Sequence, residues 1–510
     1  MSAVTEEARV RAGADWDFRQ LQEAYDRIEA VALKELGLDI YPNQIEVITA
    51  EQMLDAYSSI GLPLMYRHWS FGKRFARDEA LYRHGLRSLA YEIVINSNPC
   101  IVYIMEENTM VMQTLVMAHA AFGHNHFFKN NHLFQQWTDA SGILNYMEFA
   151  KRYVARCEEK YGEAAVEKLL DAAHALMAQG VSRYPRRNLN LVDEEKREAE
   201  RRAEQLRTYN DLWRTVPHQP GASRRRTDAA ERRRLLGLPE ENILYFLEKK
   251  APLLKPWQRE VLRIVRNLAQ YFYPQKQTKL MNEGCATYVH YRIMNRLHEQ
   301  GFLDEGAMLE FLHSHTNVVL QPDFDDRRYS GLNVYALGFA MMEDIARIAE
   351  NPDDEDKIWF PEIAGAGDAM EVLREAWANY RDESFIRQFL SPRLIRKMKL
   401  FTVFDDGESD LLVKAIHNER GYRTIRSALA DAFDVVKQEP EIEIVDADLD
   451  GDRKLLLEHR AHNGILLEPS DAELVLQHLA DLWGYEVRLI EVDASSDRVL
   501  RTHEAGPSPR

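Results

Sequence analysis

PCIVYIMEENTMVMQTLVMAHAAFGHNHFF, residues 99–128, reads as a strand followed by a helix that ends in histidines. Ile101, Val102, Tyr103 and Ile104 are β-formers and Pro99 punctuates their start, so PCIVYIMEE (99–107) predicts a buried strand. Asn108 and Thr109 can cap a helix running through MVMQTLVMAHAAF. Gly123 is its expected stop. His119, His124 and His126 then fall within eight positions, in a chain with 17 histidines. On a continuous helix His119 and His126, seven apart, share a face. His124 would lie about 140° from His119 at 3.6 residues per turn. If Gly123 ends the helix, the His-Asn-His tripeptide is a loop able to fold back toward His119. Either way two imidazoles could share an ion, and imidazole suits zinc, iron and manganese, although two ligands rarely suffice. The plainer reading is a network of satisfied core histidines.

A further ligand is available in NEGCATYVH, residues 282–290. Glu283 and His290 are seven apart and share one helical face. An acid flanked by Cys285, Ala286, Tyr288 and Val289 is expected to be partly buried, and a cation is among the few good partners for it there. His119, His124, His126 and Glu283 are thus the candidate metal ligands, with zinc the first choice of divalent ion.

NEGCATY resembles the Asn-Glu-Gly-x-Ala stretch of gluzincin-type zinc metallopeptidases, in which the Glu is a zinc ligand; a strand followed by a histidine helix is similar to their order of elements. The departure is equally plain. Zincin helices carry H-E-x-x-H, whose Glu is the general base. Here Ala120 follows His119 and the position four on is Gly123. Glu106, Glu107 or Glu92 could supply the base from another element, and His290 is a further catalytic candidate.

Composition bounds the rest. A chain of 510 residues exceeds one ordinary core, and 45% hydrophobic content supports more than one. A net charge of −17 argues against sequence-specific nucleic-acid binding. Cys100, Cys157 and Cys285 are odd in number and dispersed, as suits a reducing compartment. The N-terminal residues show no apolar signal region, and no run of eighteen apolar residues predicts a spanning helix. The expected location is cytoplasmic, with peripheral membrane association left open.

DWDFRQLQEAYDRIEAVALKELGL (15–38) predicts a helix closed near Gly37. Residues 183–240 are dense in charge and read as a surface excursion; the Arg-rich part, 184–234, could contact a protein partner, although a solvated face is the commoner meaning. Helices are expected around Trp257–Phe272, then, after a YPQKQTK link, through LMNEGCATYVHYRIMNRLHEQG and on to about Lys399. Beyond it, KLFTVFDD and LLVKAIHN, then EIEIVDAD and KLLLEHRA, read as strand pairs, each followed by a helix, with EVRLIEVD a last strand. The expected fold is a mainly α N-terminal domain with a minor β component (1–397), for which a zincin-like α+β core is one form, and a small α/β C-terminal domain (398–510) with a strand–strand–helix duplication.

Other signals are weaker. His313 and His315 alternate like strand or loop residues, and His68 sits in MYRHWSFGKRF; a structural hydrogen bond is the commoner role for each. DADLDGD (446–452) opens like a calcium loop, but its twelfth position is Leu457, so it reads as a hairpin turn. No phosphate-binding, dinucleotide-binding or G-x-S-x-G motif is present.

YPNQIEVITAEQMLDAYSSIGLPLMYRHWSFGK, AYEIVINSNPCIVYIMEENT, AHAAFGHNHFFKNN and LMNEGCATYVHY together closely resemble the stage V sporulation protein R (SpoVR) family, over almost the whole chain. The resemblance implies a role in spore cortex or cell-envelope assembly, or in stress response where relatives do not sporulate. It fixes no chemistry. Two readings follow: a metal-dependent, zincin-related hydrolase, or a regulatory or scaffolding protein that recruits envelope or kinase-linked partners through the Arg-rich segment or the C-terminal domain.

Overall fold

A computed structural model describes residues 9–58, 65–71, 73–75, 77, 92–183, 233–404, 412–415, 417–449 and 451–508. The Arg-rich segment expected to contact partners lies almost wholly outside them. The chain is mainly helical with few strands, and it divides into two compact units: Met1–Tyr153 with Tyr271–Val435, and Val154–Gln270 with Val436–Arg510.

In the first unit, helix α1 (Phe18–Ala30) starts at a capping box in which Asp17 and Gln20 satisfy each other's backbone N–H groups. It continues as a π turn through Val31–Glu35 and closes at Gly37, whose φ of +62° favours glycine. Three strands follow. β1 (Asn43–Ile48) runs parallel to β3 (Cys100–Met105), and β2 (Glu92–Ile95) runs antiparallel to it, so β3 is central. All six β3 residues are buried, as its unbroken apolar run predicts. Full burial of a large apolar side chain stabilises by roughly 1.5–3 kcal/mol, so this strand anchors the unit. The sequence reading did not identify β1 or β2.

Thr109 caps helix α2 (Met110–Met117), its hydroxyl accepting the Met112 N–H. The expected stop at Gly123 does not occur. The helix passes into a π turn, Ala118–His124, and resumes as α3 (Asn125–Asn130). Gly123 is there for a different reason: a Cβ at this position would lie 2.5 Å from Ala286 Cα. Glycine lets this segment lie directly against helix α4 (Lys279–Glu299), thirteen of whose residues are buried. On another side of α4, Gly284 meets Gly338 of helix α6 (Val334–Glu350) in the same way, a Cβ at Gly284 falling 2.7 Å from the Gly338 carbonyl carbon.

Two further expectations are corrected. The YPQKQTK link is helical up to Gln277, with Pro274 inside helix Pro256–Gln277 and the break at Thr278. His313 and His315 stand on helix α5 (Glu305–Val318), not on a strand, so two residues of spacing separates their faces: His315 is buried and His313 exposed.

Strands β4 (Thr402–Phe404) and β5 (Leu412–Ala415) pair antiparallel and precede helix α7 (Glu419–Ala432). Arg387 reaches α7 by a 2.9 Å ion pair with Asp431, and Arg426 of α7 donates to the Leu390 carbonyl. These contacts tie α7 to the first unit, which runs to Val435 and so includes β4 and β5 beyond the boundary expected near residue 398.

In the second unit, β6 (Ile442–Ala447), β7 (Leu455–Ala461), β8 (Val487–Asp493) and β9 (Val499–Ala505) form one sheet in chain order. β7 and β8 are parallel and are joined through helix α8 (Pro469–Trp483). β7 alternates buried and half-buried positions, as a sheet covered on one face requires. The DADLDGD segment joins β6 to β7, with Gly451 N–H donating to Asp448, in keeping with a hairpin turn. The strand–strand–helix order thus occurs twice, but in two separate sheets.

Candidate metal centre

The π turn decides which histidines meet. Asn125 N–H donates to the Ala120 carbonyl, a bond spanning five residues in place of four. Residues five apart are thereby stacked on one face, and the ring centroids of His119 and His124 are 4.6 Å apart and nearly perpendicular. The same change of phase turns His126 away. Its Nδ1 accepts the Asp39 backbone N–H at 3.0 Å and its ring packs edge-on against Trp377, so His126 is not part of the cluster.

Both remaining rings are fixed from behind. His119 Nδ1 lies 2.9 Å from His290 Nδ1, and His124 Nδ1 lies 2.9 Å from Asn282 Oδ1. Each therefore presents Nε2 forward, toward carboxylates. His119 Nε2 is 3.7 Å from Glu92 Oε1 and 3.8 Å from Glu283 Oε2; His124 Nε2 is 3.7 Å from Glu283 Oε2. These separations are too long for hydrogen bonds. Ligating atoms placed tetrahedrally at 2.0–2.2 Å from zinc stand about 3.3–3.6 Å apart, close to what is seen. Glu92, His119 and His124 also offer ligand atoms all within 4.8 Å of one another.

The electrostatics of His124 are the most telling. An amide oxygen only accepts, so Nδ1 carries the proton and Nε2 holds a lone pair. Burial, only partly opposed by Glu283, lowers the His124 pKa to about 4, so the ring is neutral. A lone pair then faces the Glu283 carboxylate, an arrangement that a proton or a bound cation between them would relieve. Burial also disfavours protonation of His119, but Glu283 and Glu92 outweigh it and raise its pKa. Burial works to raise Glu283, yet His119 and the Tyr335 hydroxyl hold it below the ordinary value. Burial raises Glu92, against the pull of His119.

The other candidates lie elsewhere. Glu106 and Glu107 are exposed in the turn after β3, where Glu107 accepts the Ala50 N–H; neither is paired with the histidines. His290 is buried behind His119 with both ring nitrogens engaged, Nε2 lying 3.0 Å from His315 Nδ1. Asn282 and Tyr335 were not singled out by sequence reasoning, and His315 was read only as a residue making a structural hydrogen bond. Asn282, the residue before Glu283 in the same motif, was the one with a usable signal.

Comparison with known proteins completes the description. The family described as SpoVR like protein matches residues 15–438, and the SpoVR-like C-terminal domain matches residues 440–494. The chain belongs to the SpoVR family. A relative in Escherichia coli (strain K12), named Uncharacterized protein YcgB, is 54% identical over 483 residues, covering 94% of this chain and 93% of its own. No solved structure matches this SpoVR chain. Among its described residues, no helix is long and apolar enough to cross a membrane.

Proposed function

We propose that this SpoVR protein is a metal-dependent hydrolase, with a divalent ion held by His119 Nε2, His124 Nε2 and Glu283. The observation that carries the reading is the geometry of His124, which is held at Nδ1 by Asn282 Oδ1 and turns Nε2 toward the Glu283 carboxylate at 3.7 Å. Two imidazoles and one carboxylate form a donor set suited to catalytic zinc, which is the first choice. Bound there, the ion would polarise a carbonyl or activate water.

Of the three candidate bases, Glu92, Glu106 and Glu107, Glu92 is the one that takes this role. It borders the ligand set from β2, and burial raises its pKa. A carboxyl group tuned upward is suited to taking and returning a proton near neutral pH. The base absent from the histidine helix is thereby supplied by a neighbouring strand. The order of strand, histidine helix and glutamate helix supports kinship with a zincin-like core.

The substrate class suggested by the family context is a peptide-like or cortex-precursor bond, in envelope or cortex assembly or in stress response. The alternative of a regulatory scaffold drew on the Arg-rich segment, which lies almost wholly outside the described residues, or on the C-terminal domain. The test is to incubate the zinc-loaded full chain with envelope-precursor peptides. Hydrolysis should be abolished by chelation and by Glu92→Gln, which should retain zinc. Absence of hydrolysis, or hydrolysis that survives chelation, contradicts the proposal.

A further inference from the structure

We infer that His290 and His315 are positioning residues of this centre, forming a hydrogen-bond chain behind His119 whose polarity decides which His119 nitrogen is open to a cation. The inference rests on the metal-centre reading above.

The chain is His119 Nδ1 to His290 Nδ1 at 2.9 Å, then His290 Nε2 to His315 Nδ1 at 3.0 Å. Each such pair shares one proton, and a neutral imidazole carries one N–H. Among neutral rings, therefore, only two arrangements exist. In the outward one, His119 donates from Nδ1, His290 accepts and donates onward from Nε2, and His315 accepts. His119 Nε2 is then a bare lone pair aimed between Glu92 and Glu283. In the inward one every proton is reversed, and the His119 N–H occupies the nitrogen that faces the carboxylates. Only the outward chain leaves a ligand.

The surroundings hold this chain in register. His290 is 2% exposed, and its two nitrogens meet only other imidazoles. His315 is clamped by a stacked Tyr291 at 5.0 Å, an edge-on Phe339 at 4.8 Å and Phe311 at 5.6 Å. Helix α4 supplies Glu283 and His290 seven residues apart, so one helix delivers both a ligand and the group that orients another ligand. Three buried imidazoles in series are costly in a core that leucine could fill, and orienting a metal-bound histidine through its second nitrogen is what such a partner accomplishes.

The test is zinc affinity of the full chain, measured by competition with a chromophoric chelator, for the parent, His315→Leu and His315→Asn. The leucine variant lacks an acceptor and should bind zinc roughly 10- to 100-fold more weakly. The asparagine variant can place Oδ1 where Nδ1 stood and should bind like the parent. Equal affinity in the parent and the leucine variant, or equal losses in both variants, overturns the inference while leaving the metal centre intact. A parent that binds no zinc overturns the metal-centre reading itself. If the leucine variant does not fold, nitrogen-15 NMR of the parent decides: His119 protonated at Nδ1 and His290 at Nε2 supports the chain, and the reverse pattern overturns it.

Discussion

Gly123 and Ala286 bring two helices into backbone contact directly beside the candidate metal centre, a Cβ on Gly123 falling 2.5 Å from Ala286 Cα. That approach lets the π turn present His119 and His124 to Glu283 of α4. Gly123→Ala must push the segments apart and should cost about 1–3 kcal/mol, the usual penalty of overpacking. Thermal unfolding measures it. An unchanged midpoint would show that the segments are less tightly apposed than described.

The same shift in spacing should reach the site. Gly123→Ala is expected to weaken zinc binding as well as stability, because both imidazoles ride on the displaced turn. A small-to-large substitution at a buried helix position of the second unit, Ala480→Val, should lower stability and leave zinc affinity unchanged. Chelator competition on both variants checks the distinction.

His315 makes acid sensitivity predictable. Burial, reinforced by His119, lowers its pKa to about 4, against roughly 6.5 in an unfolded chain. A depressed histidine pKa means that the unfolded state binds more protons between these values, so stability is complete above about pH 6.5 and falls as pH drops toward 4. His315→Asn should flatten the fall in unfolding midpoint over that window. A slope equal to the parent's would place the acid-sensitive group elsewhere.

In the second unit Glu491 is fully buried on β8, accepting from His459 at 3.0 Å, His503 at 2.9 Å and Leu467 N–H at 2.9 Å. Glu491→Ala would leave the buried His459 and His503 rings and the Leu467 N–H without their acceptor and should destabilise this unit by about 3–5 kcal/mol, as for a broken buried pair. Urea unfolding followed by the fluorescence of buried Trp483 reads it, and a loss below about 1 kcal/mol contradicts this account.

The sequence was legible where a local pattern determines the outcome. The apolar run of β3, the Thr109 cap, the Gly37 terminus and the amphipathic helices all follow from residue type and spacing. Gly123 was misread because a glycine that ends a helix and one that admits a neighbouring helix look alike in one dimension. His126 was misplaced for a related reason: the geometry of seven residues assumes 3.6 per turn, and one π turn changes the face. Glu92 was visible only as an acid that some other element could bring near, since its proximity to His119 depends on β2 pairing with β3. His315 becomes meaningful only once α5 is packed against α4.

Metal content tests the central claim most directly. Full-length protein purified without chelator or affinity metal should hold close to one zinc or similar divalent ion per chain by elemental analysis, and His124→Ala and Glu283→Ala should each lose it while remaining folded. A folded parent protein with no stoichiometric metal, even after zinc is offered, would contradict the account, as would a metal retained by both variants.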